Sequence, residues 1–572
     1  MTPNSLPKAR RKAGRGKTRM VVFSLLAIVA MLLAACGGSG SSGSKTSSLN
    51  ILASPNGNFK AANFNPYIDP NNGSMFGAQG MIYESLIYVN RYNGQVTNML
   101  ASDYKLADDA TNITFTVRKN VQWNDGQAFS ADDVLFTLNL LKQFPALDSQ
   151  GLWSSVIKDV ATPDADTIKI TFKQPTSTAP VYLGQLYIVP KHIWSTVSDP
   201  AKYANDKPVG TGPYMLDKFS TQVYTLKKNT KYWQAGLPKI DQLRYIATSD
   251  NTAAQLKISK GEIDWAGVGW DPKYDANFTK KDPAHNHQWY PGNNTVNLYL
   301  NLTHAPFDDL KVRQAISLAI NRDEIHQKAA LYAEPAHPTA VLPSNQKDWL
   351  SPDYQSAKFT QDLTKAASLL EQAGFSKGSD GIYQKGGKKI SFKMIVPSGW
   401  ADWESTLSVI SDNLKQVGID AKPDSLATPD VYTQALNSGN YDAAISWTDK
   451  GPTPYFPFND LLRSTKTWDT GKTILAGSTN WEHWKDAATD KLLDQYVSTS
   501  DVAKQKEAIY GLQKIMVEQL PVIPLDYNVG WFQYTTKNAV GWPEKSNDYA
   551  YGSPFDAPDC ENIVLHLTPA NS

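Results

Sequence analysis

From Leu49 onward, two hydrophobic periods alternate along the chain. Ile113-Thr-Phe-Thr-Val117 and Ile168-Lys-Ile-Thr-Phe172 switch between apolar and polar residues at every step, as half-buried strands do, and Tyr441-Asp-Ala-Ala-Ile-Ser-Trp447 reads as a further, less strictly alternating strand. Ile390, Phe392, Met394 and Val396 form one face of a further strand, and Tyr224-Thr-Leu-Lys another. Gly261-Glu-Ile-Asp-Trp265 reads as a short strand after a turn, running into Gly267-Val-Gly-Trp270. Between these lie stretches of period 3.6. Val134, Leu135, Leu138 and Leu141 make a stripe behind Ser130, which stands at the capping position with acids in the first turn. Val312, Ala315, Ile316, Ala319 and Ile320 follow Phe307-Asp-Asp309, and Leu363–Ala373 stops at Gly374. Leu407, Ile410, Leu414 and Val417 predict a helix over about Asp402–Val417, stopped by Gly418. Strands and helices that alternate in this way predict α/β lobes. The breaker block Val209-Gly-Thr-Gly-Pro-Tyr214 divides the chain near its middle.

The amino-terminal 48 residues do not share this pattern. Met20–Ala35 is an apolar run of 16 residues broken only by Ser24, short of the ~20 needed to span a bilayer, and seven basic residues precede it. It reads as a secretory signal peptide over residues 1–35. Leu33-Ala-Ala-Cys36 resembles the bacterial lipobox, which implies cleavage before Cys36 and a lipid on its sulfur. Residues 37–48 are nearly all Gly, Ser and Thr, a flexible leash with a reach of about 20 Å. With the leader removed, 49 of the 56 Lys and Arg remain against 55 Asp and Glu. A body near −6 has no excess of positive charge for a phosphate backbone, so nucleic acid is not an expected partner. Cys560 is the only other cysteine of the 572 residues, so no disulfide framework is available and the core must hold the body together.

Catalytic signatures are sparse. His285-Asn-His287 has no acidic or thiol partner at ligand spacing, and no cofactor or metal is expected. The sequence has no GxSxG elbow, Walker A loop, HExxH or dinucleotide fingerprint. Carboxylate pairs for glycoside hydrolysis are available among the acids, but nothing singles one out, so an extracellular hydrolase stays a distant alternative. What stands out is 16 Trp and 27 Tyr, many at predicted strand ends. Loops after the carboxyl ends of α/β strands line ligand crevices, and aromatic faces there stack on sugar rings or peptide side chains. Trp270, Trp400, Trp403, Trp447 and Tyr455 are the candidate ligand-binding residues on this ground.

Several blocks occur in the order found in one family. They are Asn63-Phe-Asn-Pro66, Ile82-Tyr-Glu-Ser-Leu86, Phe115-Thr-Val-Arg118 with Val121-Gln-Trp-Asn-Asp-Gly126, and Ala131-Asp-Asp-Val134. After these come Val209–Tyr214, Asn229-Thr-Lys-Tyr-Trp233, Gly261-Glu-Ile-Asp264, Pro306–Asp309 with Val312-Arg-Gln-Ala315, and Ala319-Ile-Asn-Arg322. Together they resemble the dipeptide/oligopeptide-type (family 5) solute-binding proteins of bacterial ABC importers.

The resemblance implies a periplasmic-binding-protein-like α/β fold of the large, three-lobed type II class, with a hinge closing a cleft. Lobe I would comprise 49–82, 209–302 and 524–572, a small inserted lobe 83–208, and lobe II 303–523, with chain crossings near Leu300–Pro306 and Pro521–Pro524. It further implies a monomeric, lipid-anchored receptor on the outer side of the cytoplasmic membrane, delivering its solute to ABC permease subunits. Peptide-binding members carry an acid in an Asp-Pro loop after the strand matching Tyr441–Trp447. Here that loop is Gly451-Pro-Thr-Pro-Tyr455 with Asp449 upstream, and with Ser478-Thr-Asn-Trp481 it is similar to the branch that binds β-linked oligosaccharides. Peptide and oligosaccharide both stay open.

Overall fold

The computed structural model describes residues 46–54, 57–68, 77–469 and 478–570. The expected signal peptide, Cys36 and the linker up to Lys45 lie outside these residues. Three larger sheets organise the described chain. A seven-stranded mixed sheet gathers Ser48–Ser54, Tyr214–Phe219, Val223–Lys228, Gln242–Ala247, Trp265–Ala266, Asn286–Gln288 and Gln533–Thr535. A four-stranded antiparallel sheet is built within Ala101–Phe172. A five-stranded sheet joins Gly292–Leu300, Ser391–Pro397, Asp420–Leu426, Ala443–Trp447 and Ile523–Val529.

The period-2 pattern builds the five-stranded sheet as a buried middle layer. Leu298, Leu300, Met394, Val396, Ala443 and Ile445 pack into one core with the helices Leu310–Ala319, Leu363–Gln372 and Ala401–Val417. The intervening Tyr299, Ile395 and Ala444 join the opposite core, with Pro429–Ser438, Tyr455–Leu462, Ala487–Val497 and Val502–Gln519. The helix ends are those the sequence calls for. Ser130 and Asp133 form a capping box for Ala131–Gln143, Asp309 accepts from the Lys311 amide, and Gly374 and Gly418 take positive φ behind their helices. One expectation shifts: in Gly261–Trp265 only Trp265 enters a strand, because Gly261 is the left-handed cap of Asn251–Lys260.

The chain passes between the seven- and five-stranded sheets at 289–291 and again at 530–532. The Gly530 amide donates to the Pro291 carbonyl at 2.7 Å and the Trp289 amide to the Phe532 carbonyl at 3.0 Å, so the two crossings are tied side by side. They lie one strand before, and about eight residues after, the places expected from sequence. The reason is that Asn293, Asn294 and Thr295 are polar yet buried, so Gly292–Leu300 does not read as a strand, although it pairs on both sides.

The family-like blocks meet one another in the packing. Glu84 is fully buried and accepts hydrogen bonds from Tyr232 Oη at 3.0 Å and Trp233 Nε1 at 2.8 Å, while the Arg118 guanidinium lies 4.2 Å over the Trp233 ring. Asn229 donates to the Gly212 carbonyl, and Gly210 and Gly212 press against the backbone of Met81 and Ile82. Arg313 donates to the carbonyls of Phe307, Asp308, Gln519 and Leu520. Arg322 donates to those of Ser317, Ile320 and Pro524. These contacts are internal to the packing.

Beside Glu84 lies Glu561, also buried; burial pushes both carboxyls up, and the charge of Glu84 adds to the effect on Glu561. A folded-state pKa above the unfolded value gives stability that is complete below the unfolded pKa and lost as pH rises through the folded one. The thermal midpoint is therefore expected to fall by about 3 °C between roughly pH 5 and pH 8. Glu84→Gln, which mimics the protonated form, should flatten that slope in calorimetric scans. An unchanged slope would remove the pair from the account.

Candidate ligand-binding cleft

The carboxyl end of the five-stranded sheet opens into a cavity of about 760 Å³. Topology delivers its walls. Ser391–Pro397 and Ala443–Trp447 run parallel and end here, Gly292–Leu300 runs antiparallel and begins here, and Ile523–Val529 ends here. Hence Trp400, Trp447, Asn294 and Asn528 reach one space from four segments. Gly267, Val268 and Gly269 after the strand Trp265–Ala266 face it from the other sheet.

Trp447 is 40% exposed and stacks on Trp400, with ring centroids 5.3 Å apart and planes 15° from parallel. Trp403 tilts against both at 5.0 Å. Three of the five aromatic candidates thus share one cavity wall. Trp270 does not line it: its Nε1 donates to Asp275 at 2.7 Å, and its ring packs on Tyr274 and Phe278, so this side chain turns into the local core while the glycines before it face the cavity. Tyr455 is buried, stacked on Tyr496 at 4.5 Å, and borders an adjoining cavity of about 900 Å³. Gln150, Tyr182 and Lys466 line both cavities, and Gln150, Tyr182 and Gln185 line a third of about 700 Å³, so the space is elongated.

Residues that sequence reasoning missed carry most of the polarity. Arg91 Nη2 reaches Asp449 at 3.0 Å and the Lys450 carbonyl at 3.1 Å, and Lys450 forms an ion pair with Asp556. Lys466 pairs with Asp460 at 2.7 Å, and Asp460 also accepts from the Asp449 amide. Burial pushes the Asp449 carboxyl up and Arg91 opposes the shift. Burial also works against the Lys466 charge, yet Asp460 and Asp449 hold its pKa above the usual lysine value. No local pattern marks Arg91–Asp449 or Lys450–Asp556, since those partners lie 358 and 106 positions apart, whereas Lys466 and Asp460 are only six apart. Asp449, the one acid near the Gly451–Tyr455 loop noted in the sequence, is committed to Arg91.

Two of these pairs link the loop after Ala443–Trp447 to segments outside the five-stranded sheet and its helices. On the far side, the Ser177 amide donates to the Val497 carbonyl at 2.8 Å. Such contacts exist only while the two bodies approach each other, so they favour closure. The double variant Arg91→Ala/Lys450→Ala is expected to raise the ligand-free radius of gyration in small-angle scattering and to weaken binding about tenfold. An unchanged scattering profile would deny the pairs that role.

Helices and sheets on both sides of an elongated cleft, two tied crossings between the sheets, and an aromatic wall form an arrangement suited to binding a solute. Comparison with known proteins places it. The model of "Bacterial extracellular solute-binding proteins, family 5 Middle" matches residues 95–469, and the chain belongs to that family. Oligopeptide-binding protein AppA of Bacillus subtilis (strain 168) is 26% identical over 582 residues, covering 96% of this chain and 99% of that protein. Glutathione-binding protein GsiB of Escherichia coli (strain K12) is 28% identical over 448 residues, covering 75% and 80%. An oligopeptide ABC transporter periplasmic oligopeptide-binding protein of Thermotoga maritima superposes with a TM-score of 0.83 at 25% identity, over 92% of this chain and all of that one. Its mannohexaose-bound structure gives 0.77 at 24%, over 92% and 99%. The fold is that of the large periplasmic binding proteins, and the family's role is to bind a solute.

Proposed function

We propose that this chain is the receptor of an ABC importer, capturing a short oligopeptide in the elongated cleft and presenting it, in the closed form, to membrane permease subunits. The observation that carries the reading is a pair of adjoining cavities that share Gln150, Tyr182 and Lys466, one walled by Trp400, Trp403 and Trp447 and the other bordered by Tyr455, together more space than a single small solute needs. The names of the relatives, oligopeptide- and glutathione-binding, support a peptide-like ligand. A second reading, a β-linked oligosaccharide, is favoured by the stacked Trp400–Trp447 wall and by the mannohexaose held in a protein of the same fold. In either case Cys36 carries the lipid anchor, the receptor is monomeric, and the ligand leaves chemically intact.

Calorimetry with tetra-alanine and cellotetraose separates the two readings: heat with the sugar alone rejects the peptide. Product analysis after prolonged incubation should return intact ligand, and cleavage would overturn the receptor reading.

A further inference from the structure

Charge in the main cavity is almost fully paired. Of its charged lining residues, Arg91 holds Asp449, Lys450 holds Asp556 and Lys466 holds Asp460. Asp402 is the remaining carboxylate, and among the described residues no cation lies within ion-pair distance of it. It stands in the first turn of Ala401–Val417, between Trp400 and Trp403 in sequence; burial pushes its carboxyl up, and the backbone N–H groups of Trp403 and Asp402 oppose that shift. The side chain is accessible, and the space it opens to is the cavity. Asp526, two residues before the cavity-lining segment Asn528–Gly530, is 5% exposed. Burial pushes its carboxyl up to about 8, the charge of Asp402 adds to that, and Arg322 opposes it. The region is short of positive charge.

The neutral polar groups point the same way. Asn294 is 7% exposed; its Nδ2 donates to the Thr448 carbonyl at 2.7 Å, which fixes the amide and leaves Oδ1 an unpartnered acceptor. Asn293, equally buried, also leaves Oδ1 without a partner. Both line the cavity, where the unpartnered donors are Trp481 Nε1 and the Nε of Arg91, whose guanidinium already holds Asp449. Buried acceptors without donors are costly, and a ligand that brings N–H groups relieves them. The indole faces of Trp400, Trp403 and Trp447 attract a cation rather than an anion.

We infer that the cleft takes a ligand bearing an ammonium group, held by the Asp402 carboxylate and donating to Asn293 and Asn294 Oδ1, with the tryptophan wall beside it. This deepens, and rests on, the cleft reading proposed above. It assigns specificity to the amino end of Ala401–Val417 instead of the loop after Ala443–Trp447, whose Asp449 is already neutralised. An amine at the end of a peptide and an amino sugar share this chemistry.

The full chain, its Asp402→Asn variant and its Asp402→Glu variant should be titrated calorimetrically with two matched pairs. These are tetra-alanine against N-acetyl-tetra-alanine, and the β-1,4 glucosamine tetramer against cellotetraose. The wild-type chain is expected to prefer the charged member of at least one pair by about tenfold or more. Asp402→Asn should weaken that member by about 10- to 100-fold, leave its neutral partner within about threefold, and keep the melting temperature; Asp402→Glu should restore the preference. Preference within the peptide pair or the sugar pair names the source of the ammonium. Equal binding within both pairs, or equal weakening of both members by Asp402→Asn, overturns the assignment and leaves the cleft reading standing. Binding of none of the four overturns both.

Discussion

Replacing Trp447 with alanine is expected to lower ligand affinity by about 30- to 150-fold while moving the melting temperature by no more than about 2 °C. Trp447 is the last residue of Ala443–Trp447, and its register with Val296 is held by backbone hydrogen bonds that alanine keeps. Its ring is 40% exposed toward the cavity, so removing it opens no sealed void. A ligand that covers the ring gains about 2 to 3 kcal/mol from apolar area and ring stacking, and that gain is what the variant forfeits. Trp400→Ala should act in the same direction, because the two rings form one 15° stack. Trp270→Ala should differ. Its indole lies 5% exposed in a core with Phe278 and its Nε1 is bonded to Asp275, so the loss falls on stability. Calorimetric affinity beside thermal unfolding distinguishes the two behaviours. Unchanged affinity in Trp447→Ala would remove the stacked pair from the site.

The second large effect concerns folding. Gly210→Ala is expected to destabilise the protein by more than about 3 kcal/mol, enough to deplete soluble protein. A Cβ at residue 210 would lie 1.8 Å from the Ile82 carbonyl oxygen and 2.7 Å from its carbon, and those are backbone atoms with no rotamer to escape into. Gly212 meets Met81 in the same way, with the carbonyl oxygen 2.5 Å from a built Cβ. The chain returns to the seven-stranded sheet by passing under the short helix Gln79–Ile82, and only a bare backbone fits there. Gly236→Ala is the comparison. Gly236 has φ +79° and nothing within 4 Å of a built Cβ, so it tests left-handed strain alone, worth about 1 kcal/mol. Denaturant unfolding should rank the two variants far apart; a loss below about 1 kcal/mol in Gly210→Ala would refute the close-contact account.

The periodic segments were legible because their signal is local. The alternation in Ile390–Val396 dictates which side chains meet which helix layer, and the stripe in Asp402–Val417 with Gly418 behind it dictates a helix of that length and end. Turn and cap chemistry at Ser130 and Asp309 is equally local. Strand-end tryptophans were legible for the same reason, since a strand that ends in Trp447 and another that leads to Trp400 place both rings at sheet ends whatever else the chain does. Whether those ends open on a cavity was not legible. Trp270 sits after a strand as Trp400 does, yet a 3-10 turn over Pro272–Asn277 brings Asp275 and Tyr274 beneath it and closes its environment.

By itself, then, the sequence determined the α/β layering, the helix and strand termini, the blocks that mark the family and the aromatic character of the cleft. All of these follow from spacing within a few residues or from residues in a known order. Tertiary structure alone decided the charge map: that Arg91 neutralises Asp449 across 358 positions of sequence, that Lys450 is taken by Asp556, and that Asp402 is left over. It also decided where the chain crosses between sheets, because the buried polar run Asn293–Thr295 becomes a strand only when partners from both sides supply its hydrogen bonds. Long-range pairing depends on which segments the fold brings together, and no local period encodes that.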